Sequence, residues 1–141
     1  MSSPSDNRSI QQQRAHYALI AVAAAAEQEN DVQKCFKAYS NSLPAMIQMN
    51  GIGQALAFAW QKSNGSRQSE SKAWRLLFQT VSDWLVQERK IWGTSDKDGV
   101  LPALTAGTQH QYQLAQAEAQ ALLAWVKDFA RAQITVEQEV E

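Results

Sequence analysis

Cations recur at helical spacing along this chain. Lys34 and Lys37 stand three apart, as do Lys72 and Arg75, while Lys127 and Arg131 stand four apart. On a helix each pair shares a face. Together with Lys62, Arg67, Arg89 and Lys90 they could form a stripe that follows a phosphate backbone, where charge adds affinity without reading sequence. The bland alternative for such pairs is an ordinary solvated helix surface. Bond-breaking chemistry is thinner. His16 and His110 lie far apart, and neither has a glutamate three residues before it, so the signature of di-metal helical bundles is missing. A structural zinc would need both histidines plus carboxylates, and no spacing supports a His-based ribonuclease. Both histidines therefore read as surface or boundary residues, and no metal, cofactor or catalytic residue is expected. The stretch NGIGQ at 50–54 lacks the lysine and the preceding strand that a phosphate-binding loop needs. Lysines on both sides of Cys35 and Phe36 suit a reactive thiolate, but a lone cysteine beside Phe on a helix reads as core.

The elements that must position these residues are helical. The chain has 141 residues, 45% of them hydrophobic, with only three prolines and six glycines. That describes one globular domain, and its Ala, Gln and Leu content favours helix. Net charge is −1, which argues against bulk electrostatic coating of nucleic acid. The distribution is uneven: residues 1–90 carry ten Lys and Arg against seven Asp and Glu, net +3, and residues 91–141 three against seven, net −4. Cys35 is the only cysteine, so no intramolecular disulfide exists and a reducing cytoplasm is the simplest location. Arg8 and Arg14 before the apolar run at 17–26, which ends in Ala24-Ala25-Ala26 as a cleavage site would, imitate a signal peptide. Asp6 and three glutamines in the would-be basic region oppose that, and the run is too short to span a bilayer. It reads as a helix the fold needs.

Taken in order, residues 1–9 read as a disordered N-terminus and 10–29 as a first helix with Ile10, Tyr17, Ala21 and Ala24 facing inward. Asn30 or Asp31 is expected to cap a second helix carrying Val32, Cys35, Phe36, Tyr39 and Leu43 on one face. Pro44 removes a donor and disfavours helical geometry at Leu43, which predicts a break at 40–42 and a short third helix over 43–50. A polar loop at 63–71 precedes a long helix from about 70 to 92, with Trp74, Leu77, Phe78, Val81 and Leu85 inward. Residues 93–107 read as a loop. The last helix runs over about 108–133, where Tyr112, Ala115, Ala119, Leu122, Val126 and Phe129 form a heptad-like seam. No alternating strand pattern appears. The expected fold is an all-α bundle of five to seven helices over 10–134, followed by an acidic tail at 135–141. Trp60 and Trp74 read as core; Trp84, Trp92 and Trp125 lie to the side of their stripes and are either part of a thick core or candidates for partner contact.

The stretch 42–58, SLPAMIQMNGIGQALAF, joins two apolar helical segments at an Asn-Gly pair. Gly51 supplies a left-handed helix-ending position, and Gly53 removes a side chain where helices approach closely. Ile52, Ala55, Leu56, Ala59 and Trp60 make one buried stripe, with Ala57 and Phe58 filling much of the rest, so this segment reads as central to the core. The elbow of Pro44, Asn50, Gly51, Gly53 and Gln54 is expected to be structural.

That elbow, Leu-Pro, then Ile, then Asn-Gly-Ile-Gly-Gln-Ala-Leu-Ala-Phe, resembles the small helical subunit of the Cmr complex, the type III-B CRISPR effector. The family usually has Leu where Ile52 stands. Arg14, Tyr17, Ala18 and Val22 match a first helix, residues 35–39 fit the approach to the Leu-Pro, and Leu122, Leu123, Trp125, Val126, Lys127 and Phe129 resemble the family's last helix. Residues 93–107 match nothing in the pattern. The resemblance implies a non-catalytic scaffold in antiviral defence, copies of which line the groove where guide RNA and target RNA pair. The implied partners are copies of itself, the large subunit, the backbone subunits and both RNAs, with no membrane. Arg14, Lys34, Lys37, Lys62, Lys72, Arg75, Lys127 and Arg131 are then the candidate RNA contacts. The alternative is a helical protein-protein adaptor that binds no nucleic acid.

Overall fold

Among the described residues there are six α-helices and one π-helical turn, and no strand. The computed structural model describes residues 7–93 and 99–136. Helix α1 covers Ile10–Ala26 and starts at Ser9, whose hydroxyl accepts from the Gln12 amide while Gln12 caps the Ser9 amide in return. Ser9 is thus an ordered cap rather than the end of a disordered stretch. Residues 1–6 of the predicted N-terminal stretch, and 137–141 of the predicted acidic tail, lie outside the described residues. The inner face of α1 is Ala18, Val22 and Ala25, one position on from the predicted face; Ala24 is exposed. The run from Tyr17 to Ala26 is apolar all round, so periodicity there could not choose a face.

Helix α2 runs unbroken over Asn30–Asn50, through Pro44. The predicted break at 40–42 does not form, and Glu29 rather than Asn30 or Asp31 precedes the first turn, with no side-chain cap. Tertiary packing overrides the proline: Leu43 and Ile47 on either side of it are fully buried, and the Pro44 carbonyl accepts from Gln120 Nε2 at 2.9 Å. Loss of one helical bond at Pro44 costs about 3 kcal/mol. Two fully buried aliphatic side chains contribute about that or more.

Gly51 ends α2 and opens α3 (Ile52–Ser63). Its φ is 85° as predicted, but ψ is 159°, so the residue is extended rather than left-handed helical. That region of backbone space is open essentially to glycine alone. Ile52, Ala55, Leu56 and Ala59 are buried, whereas Ala57, Phe58 and Trp60 face outward. Trp60 is 53% exposed, so α3 is half-buried rather than central and Trp60 is not core.

Helix α4 (Gln68–Asp83) passes into a π-helical turn over Trp84–Glu88, where the Arg89 amide reaches back five residues to the Trp84 carbonyl. The helical path ends there, short of the predicted residue 92, and Lys90 takes a positive φ of 50°. The predicted loop 93–107 contains a seven-residue helix, α5 (Val100–Ala106). Pro102 is compatible with it because the first-turn amides of a helix have no intrahelical acceptor to lose. Helix α6 (Gln109–Gln133) begins at a reciprocal Thr108–Gln111 capping box, within a residue of expectation.

Helix α6 is the spine. On one side α1 lies antiparallel to it, Gln11 meeting Trp125 and Arg14 meeting Glu118. On the other, α2 runs antiparallel, Asn41 meeting Arg131 and Pro44 meeting Gln120. Ala115, Ala119, Leu122 and Val126 are fully buried along the predicted seam, and Ala130 extends it. Tyr39, Phe58 and Trp74 lock α2, α3 and α4 together: Tyr39 stacks on Trp74 at 4.2 Å and Phe58 meets it edge-on at 5.6 Å.

Candidate nucleic-acid and partner interface

The structure sorts the eight candidate cations by what already holds them. Arg14 is committed to the interior. Its Nε and Nη2 donate to the two carboxylate oxygens of Glu118 at 2.8 and 3.0 Å, and its side chain is only 17% exposed. That pair engages two of its five donors and holds it against the interior, which makes Arg14 a weaker candidate for phosphate. Glu118 also accepts from Trp84 Nε1 at 3.0 Å and faces Arg89 Nε at 3.7 Å. Burial pushes this carboxyl up, but the hydrogen bonds from Arg14 and Trp84 and the charges of Arg14 and Arg89 outweigh that and hold it below its ordinary value.

Lys37 and Arg131 join helices. Lys37 Nζ donates to the Ile134 carbonyl at 3.1 Å, and Arg131 Nη2 donates to Asn41 Oδ1 at 3.0 Å. Lys34 and Lys127 are half-buried beside them.

The remaining candidates gather at the corner between α3 and α4. Lys62 sits in the last turn of α3 with Nζ 5.5 Å above the Phe58 ring. Lys62 and Arg67 line a recess of about 420 Å³ with Gly65, Ser66 and Glu70. Arg75 Nη2 donates to the Ser63 carbonyl, the end of α3, at 3.0 Å. Lys72 is exposed one turn earlier on the same face of α4. Arg67 also pairs with Glu70 at 3.2 Å, an exposed contact that yields easily to a competing anion. Four cations thus surround one short polar loop.

The tryptophans redistribute. Trp84, a candidate for partner contact, is 2% exposed and bonded to Glu118, because the π-helical turn swings it inward; this corrects its candidacy. Trp125 is half-buried and donates to Gln11 Oε1 at 3.2 Å. Trp92 packs on the joint between α5 and α6: a side chain at Gly107 would meet its Nε1 at 2.9 Å. Trp60, read from sequence as core, instead rims an apolar groove of about 560 Å³ shared with Phe78, Val100 and Pro102.

The elbow is built as a structural joint. Tyr112 and Gln116 of α6 cap the start of α3: the Gly53 amide donates to Tyr112 Oη at 2.9 Å and the Ile52 amide to Gln116 Oε1 at 3.1 Å. A Cβ at Gly51 would stand 2.9 Å from Tyr112 Oη, and one at Gly53 3.1 Å. Gly53 therefore admits a tyrosine rather than a neighbouring helix backbone. Asn50 and Gln54 are exposed and line a recess with Met46 and Phe58.

Sequence reasoning passed over Glu118. Its placement among Ala115, Ala119 and Leu122 on the seam is the signal that could have found it, since a carboxylate there must carry a buried cation. The signal for Trp60 was α3 itself, which carries more apolar surface than half a helix can hide. His16 and His110 are both exposed, and among the described residues no three His, Cys, Asp or Glu side chains converge as a metal site requires. None of the described helices is long and apolar enough to cross a membrane.

Comparison with known proteins supplies the frame for these surfaces. A family model described as CRISPR-associated protein (Cas_Cmr5) matches residues 10–133, from the first turn of α1 to the end of α6. Among solved structures, a CRISPR-associated Cmr5 family protein from Thermus thermophilus superposes with a TM-score of 0.60 at 22% identity, covering 89% of this chain and 96% of that one. At that identity the likeness speaks for the fold.

Proposed function

The chain belongs to the Cmr5 family of CRISPR-associated proteins, the small subunit of the Cmr complex, and on that premise we propose that it holds RNA by phosphate in a type III-B effector and cuts nothing itself. The carrying observation is the α3–α4 corner, where Lys62, Arg67, Lys72 and Arg75 collect around one loop. A corner of that kind holds a backbone without reading bases, which suits a complex in which guide–target pairing reads the sequence. Lys34, Lys37 and Lys127 are weaker RNA candidates because they are half-buried, and Arg131 stands apart from the corner, paired with Asn41.

In this reading the subunit works in the cytoplasm as a scaffold, meeting copies of itself, the large subunit and the backbone subunits. Trp60 and its groove are the apolar anchor of one such contact, aromatic residues being enriched at interface centres. A helical adaptor without RNA is the second reading, favoured by Arg14, Lys37 and Arg131 being engaged in internal contacts. Purification of the tagged full-length chain from its host separates the two. Recovery with other Cmr subunits and RNA supports the first; recovery with proteins alone supports the adaptor.

A further inference from the structure

One helix of the bundle carries less charge than its place on the surface calls for. Between Ile10 and Ala26, α1 has a single charged side chain, Arg14, and that one is turned inward to Glu118. Ala18, Val22 and Ala25 pack inward, yet Leu19 is 40% exposed, Ile20 58%, and Ala23 and Ala24 also face out. A helix stretch that is apolar all round is normally covered on every side, and this one is covered on one. The outer face has a definite order: His16, Ile20, Ala23 and Glu27 are all exposed and stand four, three and four residues apart. Glu27 caps the helix with its backbone still in the right-handed helical region, so it continues the strip. At about 100° per residue the four fall within about 60° of one another, on one strip about 16 Å long. Among the described residues neither His16 nor Glu27 has an ion-pair partner in its own chain.

The strip is its own complement. Turned end for end, it sets His16 opposite Glu27 and Ile20 opposite Ala23, because the two pairs share one midpoint. We propose that two copies of the chain pair through α1, antiparallel about a two-fold axis that passes between Ile20 and Ala23. The contact is isologous, each residue meeting in the other copy the one that meets it in return. Ile20 enters the gap left by the partner's Ala23, and these small side chains let the two helix axes approach to the short end of ordinary helix packing. Leu19 closes one edge of the strip and Ala24 the other. At each end His16 gives an N–H to the carboxylate of the partner's Glu27, which an imidazole can do whether charged or neutral. A contact of this symmetry closes on itself, so it makes a pair and not an open row. Trp60, Lys62 and Lys72 are not on α1, and the pairing does not depend on the RNA reading or on the apolar groove.

Sedimentation equilibrium of the isolated full-length chain at neutral pH, over a range of concentrations and without RNA, tests the proposal. One helix per subunit makes a small interface, so the expected result is a reversible monomer–dimer equilibrium with micromolar or weaker dissociation. His16→Glu and Glu27→Lys should each weaken the dimer by about tenfold or more, because each change enters the contact twice. Combined in one chain they again set opposite charges across the axis and should return dissociation to within about threefold of the unsubstituted value. Within one subunit the two positions lie three turns apart, so the combination repairs nothing in the monomer. Ile20→Glu should leave a monomer with an unchanged melting temperature, since the side chain is exposed. A chain that stays monomeric up to about 1 mM, a dimer that survives Ile20→Glu, or single variants that the combination does not rescue overturn the proposal. Trp60→Gln, or failure of RNA binding at the corner, would leave the dimer unchanged, so the readings fail separately.

Discussion

Tyr112 reaches from α6 to set its hydroxyl 2.9 Å from the amide of Gly53, the second residue of α3. One hydrogen bond thus fixes the angle at which α3 leaves the elbow, and Gln116 repeats it one residue earlier at Ile52. Helix N-terminal amides have no intrahelical acceptor, so both caps come from another helix. Tyr112→Phe should cost about 1–2 kcal/mol by leaving a half-buried donor unpaired. Chemical denaturation should show this as a lower midpoint with an unchanged slope.

At Gly51 the demand is steeper. Any side chain there meets Tyr112 Oη and must also adopt a backbone geometry that costs of order 1–3 kcal/mol. Gly51→Val should lower the melting temperature and reduce incorporation into the complex together. A fully stable variant would show that the elbow tolerates another backbone path.

The Glu118 cluster gives the stability a pH dependence. Its folded carboxyl lies below the ordinary value, so its contribution is complete above the unfolded value, about 4.3, and is lost as pH falls through the folded one. Glu118→Gln leaves Arg14 buried without its counter-charge and should cost about 3 kcal/mol at neutral pH. It should also flatten the acid limb of a stability–pH profile. An acid limb as steep as that of the unsubstituted protein would assign the acid loss to other carboxylates.

Two tryptophans should separate folding from assembly. Trp84→Phe removes a buried donor to a carboxylate and should cost about 1.5–3 kcal/mol. Trp60→Gln, at an exposed position, should change stability by no more than about 0.5 kcal/mol but lower recovery of the chain with its partners. Thermal melts and co-purification of both variants check this.

How much of this was legible in the sequence depends on which force governed each position. The α6 seam and the stripe of Trp74, Leu77, Val81 and Leu85 were readable because polar and apolar residues alternate there with a clear period. The face of α1 was not, since a run of alanines around Val22 gives no period to follow. Pro44 misled because local propensity was weighed without Leu43 and Ile47, whose burial carries the helix through. The basic pairs were visible as pairs. Their partners were not, because Lys37 with Ile134 and Arg14 with Glu118 join positions about a hundred residues apart. Trp60 and Trp84 exchanged roles for a related reason: periodicity cannot foresee a π-helical turn or say which half of an all-apolar helix is covered.

The central claim is that the α3–α4 corner holds RNA by its phosphates, and the salt dependence of binding tests it most directly. Binding of a single-stranded RNA should be measured at several salt concentrations for the assembled complex, with this subunit unsubstituted or carrying Lys62→Ala and Lys72→Ala. Each phosphate contact adds about −0.7 to the slope of log affinity against log salt for a single strand. The double variant should therefore flatten the slope by up to about 1.4 per copy engaged, without base preference and with little change in melting temperature. An unchanged slope in a fully assembled complex would contradict the account and leave the adaptor reading in its place.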